Sequence, residues 1–225
     1  MGLGGAIRQS LVDFYFNSWR LAPANVAWGV LLILALLAPL TSAVGLGLLV
    51  LLAIPTAGIY RMAALIARDE PAAFSDFVAG MRRYAGTAVL LGVGVTLLVF
   101  VLTTNVLLGM GTDHPVGWFV SAMALWGLVG LAMFLVAAWP LLVDPRREDV
   151  GVKRRLSLAA IAVIGRPVRM VVLVALVGLL LVASAVLFAL LVMVTVAFVA
   201  LVSSRYVLPM VDELEARLPE ARRAP

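Results

Sequence analysis

The residues able to do acid, base, nucleophilic or metal chemistry are few in this 225-residue chain, and their spacing limits what that chemistry could be. There is no cysteine, which excludes disulfides, thiolate metal sites and cysteine nucleophiles. The one histidine, His114, stands beside Asp113, so a two-histidine metal motif cannot be built, and it reads as an ordinary loop residue. No serine lies in a nucleophile-elbow sequence, and Gly45-Leu46-Gly47 lacks the rest of a nucleotide fingerprint. Every Asp, Glu, Lys and Arg falls outside the long apolar runs or at their ends. An ionisable group in mid-bilayer costs at least about 2.5–3.5 kcal/mol and marks a functional site by default. With none expected at depth, the sequence predicts no catalytic residue, no metal ligand and no cofactor, and so not an enzyme.

Two weaker sets of candidates remain. Asn25, Thr103, Thr104 and Asn105 enter apolar runs and could bond between helices, where such contacts average about 0.6 kcal/mol. The default for Thr56, Ser121, Ser184 and Thr195 is a bond to their own helix backbone. The second set is a contact surface for a partner protein or for membrane lipid: Phe74 and Phe77, with the basic cluster Arg146, Arg147, Lys153, Arg154 and Arg155. Such a cluster could draw anionic lipid at about 1 kcal/mol per charge, although as a topology determinant it needs no ligand. Nucleic acid is not an expected partner. The net charge of +5 is carried in loops beside apolar runs, where the positive-inside rule accounts for it.

The elements that would position these residues are apolar to an unusual degree. The chain is 64% hydrophobic and 13% charged, with a mean hydropathy of +1.13, against about 45–50% and about 25% in soluble domains. Four runs, Pro23 to Ile66 (broken at Thr41-Ser42), Ala85 to Met110, Val116 to Val143 and Met170 to Ser203, each exceed the roughly 20 helical residues that cross a hydrocarbon core. A single all-helical membrane domain over residues 1–225 is expected, a polytopic transmembrane bundle with amphipathic loop helices. Residues 1–22, with Leu11, Phe14, Tyr15 and Trp19 near helical spacing, read as an interfacial helix feeding span one. The first run is too long for a cleaved signal core and is expected to be retained. Pro23 to Leu40 and Leu46 to Tyr60 form a hairpin across Thr41 to Gly45, with Pro55 kinking the second arm.

In the first charged loop, Glu70-Pro71 reads as a helix start. The i, i+3, i+4, i+7 series Phe74, Phe77, Val78, Met81 and Tyr84 then predicts an amphipathic helix before span three, lying on the bilayer or on neighbouring spans. The 34 uncharged residues Met170 to Ser203 would be about 51 Å of helix. That length favours two spans divided near Ala183-Ser184, six in all, over a single one, five in all. Span six would close at Tyr206 to Pro209, leaving 210–225 as a cytoplasmic tail. Arg-rich loops against the non-basic Asp113 loop place the former, and both termini, in the cytoplasm. The order proline, charged loop, amphipathic helix, span occurs twice, from Pro55 to Arg83 and from Pro140 to Arg166, as in a parallel internal repeat or as an ordinary span-loop-span pattern.

The order of short motifs resembles the YesL-like family of bacterial integral membrane proteins, whose domain is of unknown function. The resemblance rests on Asp13-Phe14-Tyr15-Phe16-Asn17, Pro23-Ala24-Asn25-Val26-Ala27-Trp28, Ile54-Pro55-Thr56-Ala57-Gly58, Phe74 and Phe77, Trp139-Pro140-Leu141-Leu142 and Gly165-Arg166-Pro167. It implies a compact helical protein of the bacterial plasma (inner) membrane, often encoded near carbohydrate uptake and degradation systems, and it supplies no catalytic residues. The function it favours is a non-enzymatic accessory or scaffold component of a carbohydrate import system, with an importer permease or ATPase as partner. The alternative is a transporter or channel for a small neutral solute.

Overall fold

The computed structural model describes residues 2–37, 47–112 and 114–216. The chain is helical, with no strand among the described residues, and six helices are long and apolar enough to cross a membrane. This is the expected membrane bundle. The order is α1 (Leu3–Leu37), α2 (Gly47–Leu51), α3 (Ala53–Ala67), α4 (Phe74–Met110), α5 (Pro115–Leu142), α6 (Val152–Gly165), α7 (Pro167–Val186), α8 (Phe188–Leu190), a π-helical turn (Leu191–Thr195) and α9 (Val196–Ala216). Helices α1, α4 and α7 leave one end of the bundle, and α3, α5 and α9 return to it. That end gathers the ion pairs and is called here the charged end. The expected link at Thr41 to Gly45 lies outside the described residues.

Several boundaries differ from expectation for local reasons. Residues 3–22 are not a separate interfacial helix: α1 runs through Pro23 without a break. Its Leu11, Tyr15 and Trp19 stripe is exposed, while Phe14 turns inward onto Phe198, ring centroids 6.2 Å apart. Pro55 has no N–H for the carbonyl of Leu51, four residues back, and the helix is interrupted there, between α2 and α3. Glu70-Pro71 does not start a helix. Asp69, at φ 59°, and Glu70 donate their backbone N–H groups to Ile66 O and Leu65 O, which closes α3 in a Schellman turn with Pro71 just beyond it. Helix α4 starts at Phe74, where the Asp76 carboxylate accepts the Ala73 N–H at 2.7 Å. The predicted amphipathic helix and span three are one 37-residue helix.

The run from Met170 to Ser203 falls in two helical spans, divided at Leu187, three residues beyond the expected Ala183-Ser184. Without Gly or Pro, the turn is held by polar bonds: Thr195 Oγ1 donates to Ser184 Oγ at 2.6 Å, and Leu190 N to Leu187 O at 2.7 Å. Helix α9 does not end at Pro209. It continues to Ala216 with Met210 and Val211 buried, so residues 210–216 belong to the bundle and 217–225 lie outside the described residues. The two similar stretches also diverge. After Pro140 the amphipathic helix is the separate α6, cut from α7 at Arg166-Pro167, whereas no proline separates Met81 from Ala85 and α4 runs on.

The densest core lies toward the charged end, where Ile59 and Met62 of α3, Leu141 and Leu142 of α5, and Leu201 and Leu208 of α9 are fully buried. Tyr60 stacks on Trp139 at 5.9 Å. Helices α3 and α4 cross closely because Gly58 faces Phe77 and Met81 while Gly80 faces Arg61. A β-carbon on Gly58 would stand 2.7 Å from the backbone oxygen of Phe77, which cannot rotate away. Gly58→Ala is therefore expected to lower stability by about 1–3 kcal/mol through overpacking, read as a lower thermal midpoint in detergent. An unchanged midpoint would contradict this packing.

Candidate functional site

Arginines at the charged end answer a helical problem: the last carbonyls of a helix have no partner within it, and the end carries partial negative charge. Arg61 of α3 donates to Val143 O at 2.9 Å, Arg155 of α6 donates to Leu142 O, and Arg205 of α9 reaches Ala67 O at 3.2 Å. Two helix termini, those of α5 and α3, are thus bound to side chains from other helices. Arg61 and Arg205, together with Arg68 and Arg147, also carry a network of carboxylates between them.

At its centre is Asp144, fully buried just after α5. Arg68 donates to both of its oxygens, at 3.2 and 2.7 Å, and Arg147 donates to Oδ2. Arg68 also meets Asp212 of α9 at 2.5 Å, and Arg147 meets Asp212 at 2.5 Å and Glu215 at 2.6 Å. Burial alone would depress the Arg68 guanidinium, but hydrogen bonds to Asp212 and Asp144 outweigh it and hold its pKa above the ordinary arginine value. Arg147 is raised in the same way, burial being offset by Glu215 and Asp212. Both stay charged at any pH the protein meets. A second group flanks the first: Arg205 binds Asp13 of α1 at 2.7 Å and Asp69 at 2.9 Å, and Glu148 bridges Arg61 at 2.5 Å and Arg83 at 2.7 Å. Asp69 occupies a left-handed position that usually takes glycine, and its carboxylate contact to Arg205 gives it a role there. These pairs fasten α1, α3, α4, α5 and α9 to one another. Their chemistry is that of a clamp, since each carboxylate named here faces a guanidinium rather than an open cleft.

The sequence candidates divide sharply against this geometry. Phe77 is 3% exposed and packs on Gly58, so it is not a docking residue, whereas Phe74 is 43% exposed. Arg147 and Arg155, each 6% exposed, are likewise corrected from surface contacts to internal ties. Besides Leu142 O, Arg155 holds Val150 O at 2.7 Å and Glu148 O at 3.1 Å. Arg146, Lys153 and Arg154 are exposed and remain available. The neighbours Arg154 and Arg155 therefore make a test. Arg155→Ala strips three carbonyls of a charged donor and is expected to cost about 2 kcal/mol or more. Arg154→Ala is expected to stay within about 0.5 kcal/mol. Equal effects on the thermal midpoint would refute the assignment.

Inside the span, Asn25 bonds between helices as expected. A π-helical turn displaces backbone bonds, and the Asn25 amide reaches that turn: Nδ2 donates to Leu191 O at 3.0 Å and Val192 O at 2.7 Å, while Oδ1 accepts Ala197 N–H at 2.7 Å. Gly29, one turn on, permits the approach, since a β-carbon there would lie 2.4 Å from Val192 Cγ1. Trp28 Nε1 donates to Thr56 Oγ1 at 2.9 Å, joining α1 to α3. The other candidates make no such centre. Thr103 is exposed and Thr104 and Asn105 are half-buried, and it is Ser121 that joins α5 to α4, through Val106 O at 3.0 Å. His114 is more than a loop residue, because its Nδ1 caps α5 by accepting Val116 N–H at 3.2 Å.

Asp144, Arg68, Asp212, Glu215, Asp13 and Arg205 were not among the sequence candidates. The available signal was an acid directly abutting an apolar run, as Asp144 does after Trp139-Pro140-Leu141-Leu142-Val143. Comparison with protein-family models, with curated proteins and with solved structures finds no match to this chain.

Proposed function

We propose that the chain is a non-enzymatic accessory or scaffold protein of the bacterial plasma membrane, with its charged end in the cytoplasm, serving a carbohydrate import system. The observation that carries the scaffold reading is that the buried carboxylates are committed to guanidiniums in a network across five helices, with Phe74, Arg146, Lys153 and Arg154 exposed beside it. Link to an importer permease or ATPase rests on the resemblance of the short motifs to the YesL-like family. Basic residues at this end support its cytoplasmic placement. Affinity purification from gently solubilised native membranes, with co-purifying proteins identified by mass spectrometry, tests the reading. Recovery of importer subunits in fixed ratio, lost in a Lys153→Ala/Arg154→Ala variant, is the expected result. A partner set unchanged by that variant removes docking through this loop.

A second reading is a transporter or channel for a small neutral solute. It is favoured by the interrupted helix at Leu187 to Thr195, since broken spans build binding sites in some transporters. Against it, the Asn25 amide there already serves three backbone groups. Absence of solute flux in liposomes reconstituted with the protein would remove this reading.

A further inference from the structure

A cavity of about 520 Å³ opens sideways between α4 and α5, in the size range of about 300–1,000 Å³ typical of ligand sites. Its walls are almost wholly apolar, among them Leu91, Leu98 and Phe134, and its depth comes from glycines, Gly94 on α4 and Gly127 and Gly130 on α5. Along α4 it runs from Thr87 to Leu98, about 16 Å at 1.5 Å per residue. That is half of a hydrocarbon core of about 30 Å, the depth of one leaflet.

The leaflet is the one at the charged end. There the groove reaches Leu142, the last residue of α5, and α6 lies across it with Val152 and Leu156. Basic residues neighbour the lining residues along the chain at this end. Arg83 stands one helical turn before Thr87, with 54% of its side chain exposed, and exposed Lys153 follows Val152. Arg83 is paired with Glu148, but Glu148 also takes Arg61, so these three groups leave one net positive charge and Lys153 adds another.

We propose that this groove is a binding site for one anionic phospholipid, an acyl chain lying between α4 and α5 and the phosphate-bearing headgroup facing Arg83 and Lys153. An acyl chain fits an apolar trough of one-leaflet depth that opens to the membrane side. The charge at its mouth selects an anionic headgroup over a neutral one, by about fivefold for each basic residue near the surface.

Gly130 makes the test clean. Gly130 lines the groove and a β-carbon built there meets nothing within 4 Å, so Gly130→Leu adds bulk to the wall from an open position. Gly94→Leu has the same property and serves as the second variant. The probes are phosphatidylglycerol and phosphatidylcholine added to the purified full chain in detergent, with bound lipid read by native mass spectrometry and folding by thermal midpoint. Expected are one retained phosphatidylglycerol, preferred over phosphatidylcholine, and loss of both lipids in Gly130→Leu and Gly94→Leu at an undiminished midpoint. Arg83→Gln with Lys153→Gln should abolish the preference while phosphatidylcholine still binds. Full retention in both glycine variants would overturn the site, and an unchanged preference in the double variant would overturn the headgroup assignment. A glycine variant that altered oligomeric state and left bound lipid unchanged would assign the groove to a second copy of the chain and overturn the lipid.

Discussion

Asp144→Ala is expected to cost about 3–5 kcal/mol of unfolding free energy, the largest effect of any single change at the charged end. Asp144 is wholly enclosed and is shared by Arg68 and Arg147, whose side chains are 5% and 7% exposed. Removing it leaves two guanidiniums side by side in a dry site, relying on Asp212 and Glu215, and their mutual repulsion loses its screen. Asp212→Ala is the control. Its side chain is 38% exposed, so water can replace it, and a loss of about 1 kcal/mol is expected although it too contacts both arginines. The measurement is thermal or denaturant unfolding in detergent, followed by tryptophan fluorescence. Comparable losses for the two aspartates would mean that burial does not set the strength of this network.

A double-mutant cycle sharpens the point. Replacing Arg68 and Asp144 together by leucine removes a buried charge with its partner, and such replacements are often close to neutral. The double variant is expected to be more stable than the sum of the two single losses implies, by about 0.5–3 kcal/mol of coupling. Arg147 keeps Asp212 and Glu215 in that background, so some loss remains. A buried network of this kind contributes specificity of arrangement more than net stability. It fixes which end of α9 meets α1, α3 and α5, a choice that apolar surfaces in lipid leave loosely determined because lipid tails and leucine are equally apolar.

The helical membrane bundle was legible because its cause is local and repeated. Long uncharged runs must satisfy their backbone internally, which only a helix does within one segment. The division of Met170 to Ser203 was legible for the same reason, since one helix of that length would overshoot the bilayer. Its position at Leu187 was not, because the residues that hold it, Ser184 and Thr195, meet only after the chain has turned. The charged end was legible as a place but not as a network. Arg68 and Asp144 are 76 residues apart and Arg147 and Glu215 are 68 apart, so no spacing along the chain betrays the pairing. Neighbouring arginines 154 and 155 look equivalent in a basic loop, and only the face of α6 each occupies makes one a surface charge and the other a buried tie. Asn25 was found because a polar amide inside an apolar run must bond to something, and the sequence could not name its partners, 166 to 172 residues away.

Asn25→Leu is expected to cost about 2–4 kcal/mol, since it leaves the carbonyls of Leu191 and Val192 and the N–H of Ala197 without the partner each now has, at about 1–3 kcal/mol for each unmet buried group before relaxation. Within hydrocarbon no water replaces the amide, and the turn must either rewind into regular helix or distort. Ser121→Ala, which deletes one interhelical bond to Val106 O, sets the scale from below at about 0.6 kcal/mol. Asn25→Asp separates polarity from fit: an ionised carboxylate would face two carbonyl oxygens and repel both, whereas the protonated acid restores one donor. The deficit is therefore expected to be smaller when the introduced carboxyl is protonated than when it is ionised. Thermal midpoints of the three variants at two pH values decide the matter. If Asn25→Leu matched Ser121→Ala, the π-helical turn would be held by packing against Gly29 rather than by the amide, and Gly29→Ala, which drives a β-carbon into Val192, would become the more damaging change.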